Sequence, residues 1–211
     1  GYWGKSVVSD AFGIHVTETT ECTKCQFHYP SHKFTRFFHM VPFEAWREAW
    51  RQSGGSDMPE VLLKRTYHRE YRHCQKCSKQ EDVEFEVRHC IEKDRPPPGC
   101  FTLLVQWLGG DVSSHDIATL LSLMPLTMDI SLVVSNLDTP THYRLRCMIC
   151  LYGQHFITIA FNPTVFQWVQ YDDGKVTALG GWDGVVDKLK KGRFQPEVCF
   201  YEKVPAPNQG W

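Results

Sequence analysis

The sequence predicts an α+β fold built mainly on antiparallel sheet, in two parts. Short alternating or apolar runs follow one another at close spacing with few helical stretches between them. Two C-x-x-C pairs, Cys22/Cys25 and Cys74/Cys77, sit in the first half. The run "KDRPPPGC" interrupts regular structure near residue 95, because consecutive prolines cannot donate backbone hydrogen bonds. A chain of 211 residues, 42% hydrophobic and 22% charged, is long enough to bury a sizeable core and far from a disordered composition.

In chain order, "FGIHVTETTECTKCQF" alternates Phe12, Ile14 and Val16 with polar neighbours and then turns at the first knuckle, so it reads as a strand. A return strand is expected near 33–41. "PFEAWREAW" sets Trp46 and Trp50 one helical turn apart before "RQSGGSD", which predicts a short glycine-terminated helix. Residues 58–92, rich in charge, read as irregular strands around the second knuckle. Beyond the prolines, "CFTLLVQWL" is an apolar strand suited to a two-sided core, and "SSHDIATLLSLMP" offers Ser113 as an N-cap with Asp116 three residues on. "DISLVVS", "YRLRCMICLYG", "HFITIAF", "FQWVQYDD" and "EVCFYEKV" follow as strands, with turns at "NPT" and "DDGK". "DKLKKGRF" reads as a solvated helix end whose lysines complement the helix dipole.

Charge excludes some partners. Lys and Arg total 23 against 24 Asp and Glu, a net charge of −1, so no global field steers the chain toward nucleic acid or anionic lipid. No apolar run approaches the roughly 20 residues of a membrane span. The first residues lack the features of a signal peptide, and an odd count of nine cysteines points to metal ligation or free thiols. The expected location is therefore intracellular, cytoplasmic or nuclear.

Two residues between thiolates let both sulfurs of a knuckle face one tetrahedral ion, and the second knuckle supplies the other two. Cys22, Cys25, Cys74 and Cys77 are thus candidate ligands of a structural Zn2+. The 48 residues between the knuckles require the Trp46 helix to loop out. Reduced surface cysteines remain the plain alternative, His28 or His73 can replace a thiolate, and a zinc-ribbon nucleic-acid binder is a further reading with only Lys24 and Lys76 as its basic patch. Cys147 and Cys150 share a strand at a spacing of three, which points them to opposite faces. They, with Cys90, Cys100 and Cys199, are expected as core thiols.

The second candidate site is "YGQHF" with "YDDG". If "HFITIAF" and "FQWVQYDD" form a hairpin, His155 at the start of one strand lies near Asp172 and Asp173 at the end of the other, and a carboxylate can then hold the imidazole in one tautomer. The bland reading is a strand-edge histidine and a D-G turn. Tyr152 and Gly153 tilt the balance, since a glycine before the histidine admits a substrate backbone.

The string "YGQHF…W…YDD…V…FQPEVCFYE" resembles the C-terminal box of the ubiquitin-specific proteases. "PGCFTLLVQW", "MPLTMDIS" and the paired knuckles resemble further parts of that family, over about 12–204. The resemblance implies a papain-like cysteine protease fold of palm and zinc-binding fingers, with fingers at 1–94 and palm at 95–211, that grips ubiquitin or a ubiquitinated protein. It makes His155 the base of a Cys-His-Asp triad, Asp172 its orienting partner, Asp173 an auxiliary polar group, Tyr152 and Gly153 substrate contacts, and Trp168 and Phe200 core. In that family the nucleophilic cysteine lies in an N-terminal thumb lobe upstream of the fingers. This chain is expected to lack that lobe, because four cysteines are taken by metal and Cys150 lies too near His155 on the same strand. Gln154 and Phe156 depart from the usual glycine and tyrosine and resemble a branch often labelled inactive. A pseudoenzyme serving as an interaction module in a larger assembly is therefore the alternative, and Trp3 and Trp211 mildly favour docking.

Overall fold

The computed structural model describes residues 6–67, 69–92, 95–109 and 111–204, and Trp3 and Trp211 lie outside them. The strands form two sheets. β1 (Ile14–Cys22), β2 (His32–Arg36), β4 (Arg69–Cys74) and β5 (Ser78–Ile91) make an antiparallel four-stranded sheet in the order β2-β1-β5-β4. The second sheet takes the order β11-β10-β9-β8-β12-β6-β3, with a short β7 (Thr127–Asp129) paired to β8. Its strands are β3 (His39–Pro42), β6 (Cys100–Gln106), β8 (His142–Tyr152), β9 (His155–Asn162), β10 (Gln167–Asp172), β11 (Lys175–Gly180) and β12 (Gln195–Lys203). All pairings are antiparallel except β3 with β6, where Val41 faces Val105 in parallel.

The expected return strand near 33–41 divides between the sheets: β2 pairs with β1, and β3 joins the other sheet. A short helix α1 (Val7–Phe12) precedes β1, and two helices follow β3, α2 (Phe43–Gln52) and α3 (Pro59–Tyr67). The expected looping-out of the Trp46 helix takes this form. Trp46 is fully buried in the main core with Leu62 and Leu63, while Trp50 stays partly exposed over Gly55. Residues 58–92 were expected as irregular strands, and α3 overturns that for 59–67. Its start signals are proline at the first helical position and Glu60 in the first turn, and Lys64 and Arg65 occupy the last turn. "DISLVVS" is no strand beyond Asp129. A 3-10 turn follows at Ile130–Leu132, because Asp129 Oδ1 accepts from the backbone N–H groups of Ser131 and Thr141 and folds the chain back.

Ser113 caps α4 (Ser114–Leu123) in a reciprocal box with Asp116. The last helix, α5 (Trp182–Gly192), lies on β10 and β11 with Val185 and Leu189 buried and Trp182 against Trp168. A Cβ on Gly184 would overlap the Leu179 carbonyl oxygen, so glycine sets how closely this helix approaches the sheet. Lys190 and Lys191 fill its last turn and Arg193 ends it in a left-handed conformation, φ 50°. Trp168 is core as expected. Phe200 is only half-buried, because the inward positions of β12 fall on Cys199 and Tyr201. Cys150 and Cys199 are buried, whereas Cys90, Cys100 and Cys147 are half-buried. Ile14 and Val16 of β1 and Ile91 of β5 belong to the main core, so one end of the four-stranded sheet is rooted there. Among the described residues no helix is long and apolar enough to cross a membrane.

Candidate functional site

The far end of the four-stranded sheet carries the knuckles. Cys22 closes β1, Cys74 closes β4, and the turns after them bring Cys25 and Cys77 alongside. The first knuckle is shaped by backbone bonds from Cys22 N to Phe27 O (3.0 Å) and Gln26 N to Cys22 O (2.8 Å), with Gln26 at φ 57°. All four sulfurs lie within 4.8 Å of one another; Cys22 Sγ is 3.7 Å from Cys77 Sγ, and Cys25 Sγ is 3.8 Å from Cys74 Sγ. Zn–S bonds of roughly 2.3 Å in a tetrahedron put sulfurs about 3.8 Å apart. The spacing fits a four-thiolate metal site and is far too long for disulfides.

Without a cation the group is electrostatically frustrated. Desolvation, followed by the neighbouring sulfurs, pushes Cys77 up to about 12. Cys74 is desolvated too, yet backbone N–H groups of Cys77 and Lys76 draw it down to about 6. A divalent ion would let all four ionise together. His28 and His73 are exposed and lie beside Glu21 and Asp82 instead. A small second core backs the sulfurs: Val83 and Phe85 are buried, and Phe27 and Tyr29 pack against them.

The other candidate site stands at one end of the eight-stranded sheet. Tyr152 pairs with His155 across the β8–β9 hairpin, and its two-residue turn begins with Gly153 at φ 60°, a conformation that favours glycine. β9 and β10 are antiparallel, with Tyr171 opposite Thr158. His155 and Asp172 therefore lie on the same face as diagonal neighbours, within reach of long side chains. His155 Nε2 is 2.6 Å from Asp172 Oδ1. Asp173 occupies the next hairpin turn at φ 48°, and its carboxylate lies within 4.8 Å of the other two groups.

Asp172 accepts, so Nε2 carries the hydrogen and the neutral ring leaves its lone pair on Nδ1. That bond raises the His155 pKa, against some desolvation and with further help from the charges of Asp172 and Asp173. The same bond lowers Asp172. The ring is accessible: the His155 side chain is 45% exposed, with Tyr152, Phe156 and Tyr171 also exposed. Sequence reasoning missed Gln170, which is buried in β10 and donates from Nε2 to Asp172 Oδ2 at 3.2 Å. The signal was present as a polar residue within the buried run Trp168-Val169-Gln170.

The nine cysteines divide between the cluster and the strands of the two sheets. Four form the cluster at the other sheet. Cys150 is fully buried and desolvation drives its thiol far above the usual range. It sits on β8, not on the strand of His155 as expected, and faces Ile157. Burial also raises Cys100, Cys147 and Cys199, and Cys90 pairs with Thr17 in the four-stranded sheet.

The sequence model of the family described as "UCH: Ubiquitin carboxyl-terminal hydrolase" matches residues 3–201. A stretch of 55 residues is 40% identical to ubiquitin carboxyl-terminal hydrolase 54 of Rattus norvegicus and to that of Mus musculus, covering 26% of this chain and 4% of theirs. Among solved structures, the chain is similar to one in the SAGA DUB module of Ubp8, Sgf11, Sus1 and Sgf73 bound to monoubiquitin. The TM-score is 0.62 at 12% identity, over 98% of this chain and 44% of that one. The same module bound to ubiquitin aldehyde gives a TM-score of 0.59 at 11% identity, over 96% and 44%. These likenesses establish the fold. The chain spans under half the length of those solved chains and a small fraction of the curated relatives.

Proposed function

Since the chain belongs to the ubiquitin carboxyl-terminal hydrolase family, we propose that it provides the base half of a thiol-dependent deubiquitinase site. The four-stranded sheet acts as fingers around ubiquitin and the eight-stranded sheet as palm. The carrying observation is the 2.6 Å bond from His155 Nε2 to Asp172 Oδ1, which orients a ring with Nδ1 as its open base. In this reading Nδ1 takes the proton of a cysteine thiol supplied from outside these 211 residues. The thiolate attacks the carbonyl carbon of the ubiquitin C-terminal acyl group. As the C–N bond breaks, the imidazolium returns its proton to the leaving amine, and water then releases ubiquitin from the thioester. Asp173 adds negative potential, and Tyr152 and Gly153 border the tail of the substrate. On its own the chain performs no turnover.

Cys22, Cys25, Cys74 and Cys77 hold a structural Zn2+ in this proposal, supported by their spacing and sulfur-only donor set. The ion fixes the fingertip and takes no part in the chemistry. Free thiols throughout agree with a reducing intracellular compartment, and the solved relatives make a multi-subunit assembly a natural setting. No nucleic acid or membrane enters this reading.

The test is the full-length parent with a ubiquitin C-terminal fluorogenic probe, as wild type and as His155→Ala. Cleavage that falls about 10³-fold or more in the variant supports the reading. No cleavage by the wild type, with its nucleophile verified, rejects it. Gln154 and Phe156, both exposed beside His155, favour a second reading in which the domain binds ubiquitin or partner proteins without turnover. Under it, wild type and His155→Ala bind ubiquitin equally and neither cleaves.

A further inference from the structure

We propose that Gln170 is a positioning residue that holds Asp172 in the orientation His155 requires; this rests on the reading of His155 as the base. A carboxylate anchored by one oxygen still turns about its last torsion, where the energy wells are broad. Asp172 is anchored by both: Oδ1 accepts from His155 and Oδ2 from Gln170 Nε2. Gln170 stands two residues before Asp172 in β10, so both side chains share the face of Trp168, which packs on Trp182 of α5. At 3% exposure Gln170 is as buried as Trp168 and Val169 before it, and its amide cannot drift as a surface glutamine would.

The amide contributes little to the core. Its Oε1 is buried and has no hydrogen-bond partner among the described residues, an arrangement that destabilises the fold relative to an apolar side chain. Flipping the amide would set Oε1 against the carboxylate, acceptor to acceptor, so Asp172 dictates which way it points. Both neighbours in the run, Trp168 and Val169, are buried and apolar. The polar residue at 170 is explained by what it does for the carboxylate.

The test uses 15N-histidine-labelled protein, with long-range 1H–15N spectra of the His155 ring and thermal melts, on wild type, Gln170→Leu and Gln170→Met. The expected wild-type ring is the Nε2–H tautomer. Both variants are expected to keep or raise Tm while the ratio of that tautomer to its alternative falls about 10-fold, a typical cost of losing an orienting partner. Lower Tm in both variants with the His155 spectrum unchanged would mean Gln170 is merely structural and overturns the proposal. A wild-type ring without the Nε2–H preference defeats the reading of the His155–Asp172 pair itself, and this inference with it.

Discussion

If the four sulfurs hold Zn2+ as proposed, removing it should melt the tip of the four-stranded sheet and leave the rest of the molecule folded. At the tip, among the described residues, the buried apolar side chains besides the cysteines are Phe85 and, nearly as buried, Val83, with Phe27 and Tyr29 partly so. Burying such a side chain contributes about 1.5–3 kcal/mol, whereas ordering each residue costs about 1–2 kcal/mol. Two anchors therefore offset only a handful of residues, and the two turns contain more than that. A structural zinc supplies about 10–16 kcal/mol at neutral pH, so an ion held by the four sulfurs would be the dominant stabiliser there. The other end of the same strands differs, because Ile14, Val16 and Ile91 are held in the main core.

Hydrogen exchange read by mass spectrometry, with and without a zinc chelator, measures this directly. The amides of Cys22, Thr23, Gln26 and Tyr29 are bonded to Phe27, Glu84, Cys22 and Thr20 in the folded tip. After chelation they should exchange at close to unprotected rates, while peptides from β8 and β12 keep their protection. Cys74→Ser should reproduce the effect in zinc-replete buffer. If the tip stays protected once the metal is quantitatively gone, the apolar cluster alone holds it and the reasoning fails. If β8 and β12 open together with the tip, the molecule is one cooperative unit and the local assignment fails.

Two further outcomes follow from the geometry. Asp172→Asn should return the His155 pKa toward its ordinary value near 6.5, read by NMR titration. The raised histidine contributes stability that is lost as pH rises through its folded pKa, and the lowered aspartate contributes stability that is lost as pH falls through its own. The Tm gap between wild type and Asp172→Asn should therefore be widest between pH 3.8 and pH 6.5 and narrow on either side; a gap independent of pH would refute the pairing. Gly184→Ala should destabilise by about 1–3 kcal/mol, the usual range for overpacking, because its Cβ overlaps the Leu179 carbonyl. A denaturant midpoint at or above wild type would refute that contact.

Local patterns made much of this molecule legible. The Ser113 box, the Trp46 helix and the β9–β10 hairpin are short-range features whose residues carry their own instructions, and the His155–Asp172 contact follows once the hairpin is drawn. What escaped depends on partners distant in sequence. β3 looks like part of a simple return strand, but Val41 is claimed by Val105, more than sixty residues on. Charged residues made 58–92 look irregular, although Leu62 and Leu63 are buried on the inner face of α3. No side chain of β11 is buried and half are exposed, so it offered no alternation to read. Gln170 left only a faint mark in the sequence, a polar residue after Trp168 and Val169, because its importance lies in the second oxygen of a neighbour, a three-dimensional fact.

The two candidate sites are also mechanically separate, and β5 shows why. It runs from Ser78 beside the second knuckle to Ile91 in the main core, a span of roughly 45 Å at the usual rise per residue. A paired strand of that length places the tip far from the main core. His155 is held instead by its own hairpin, by Asp172 and, behind that carboxylate, by Gln170. On the proposed reading, loss of the metal would weaken the grip on ubiquitin, and loss of the carboxylate would weaken the base. A variant that weakens binding through the tip should leave the tautomer of His155 untouched, which makes the tautomer the cleaner witness of whether this domain is built for chemistry.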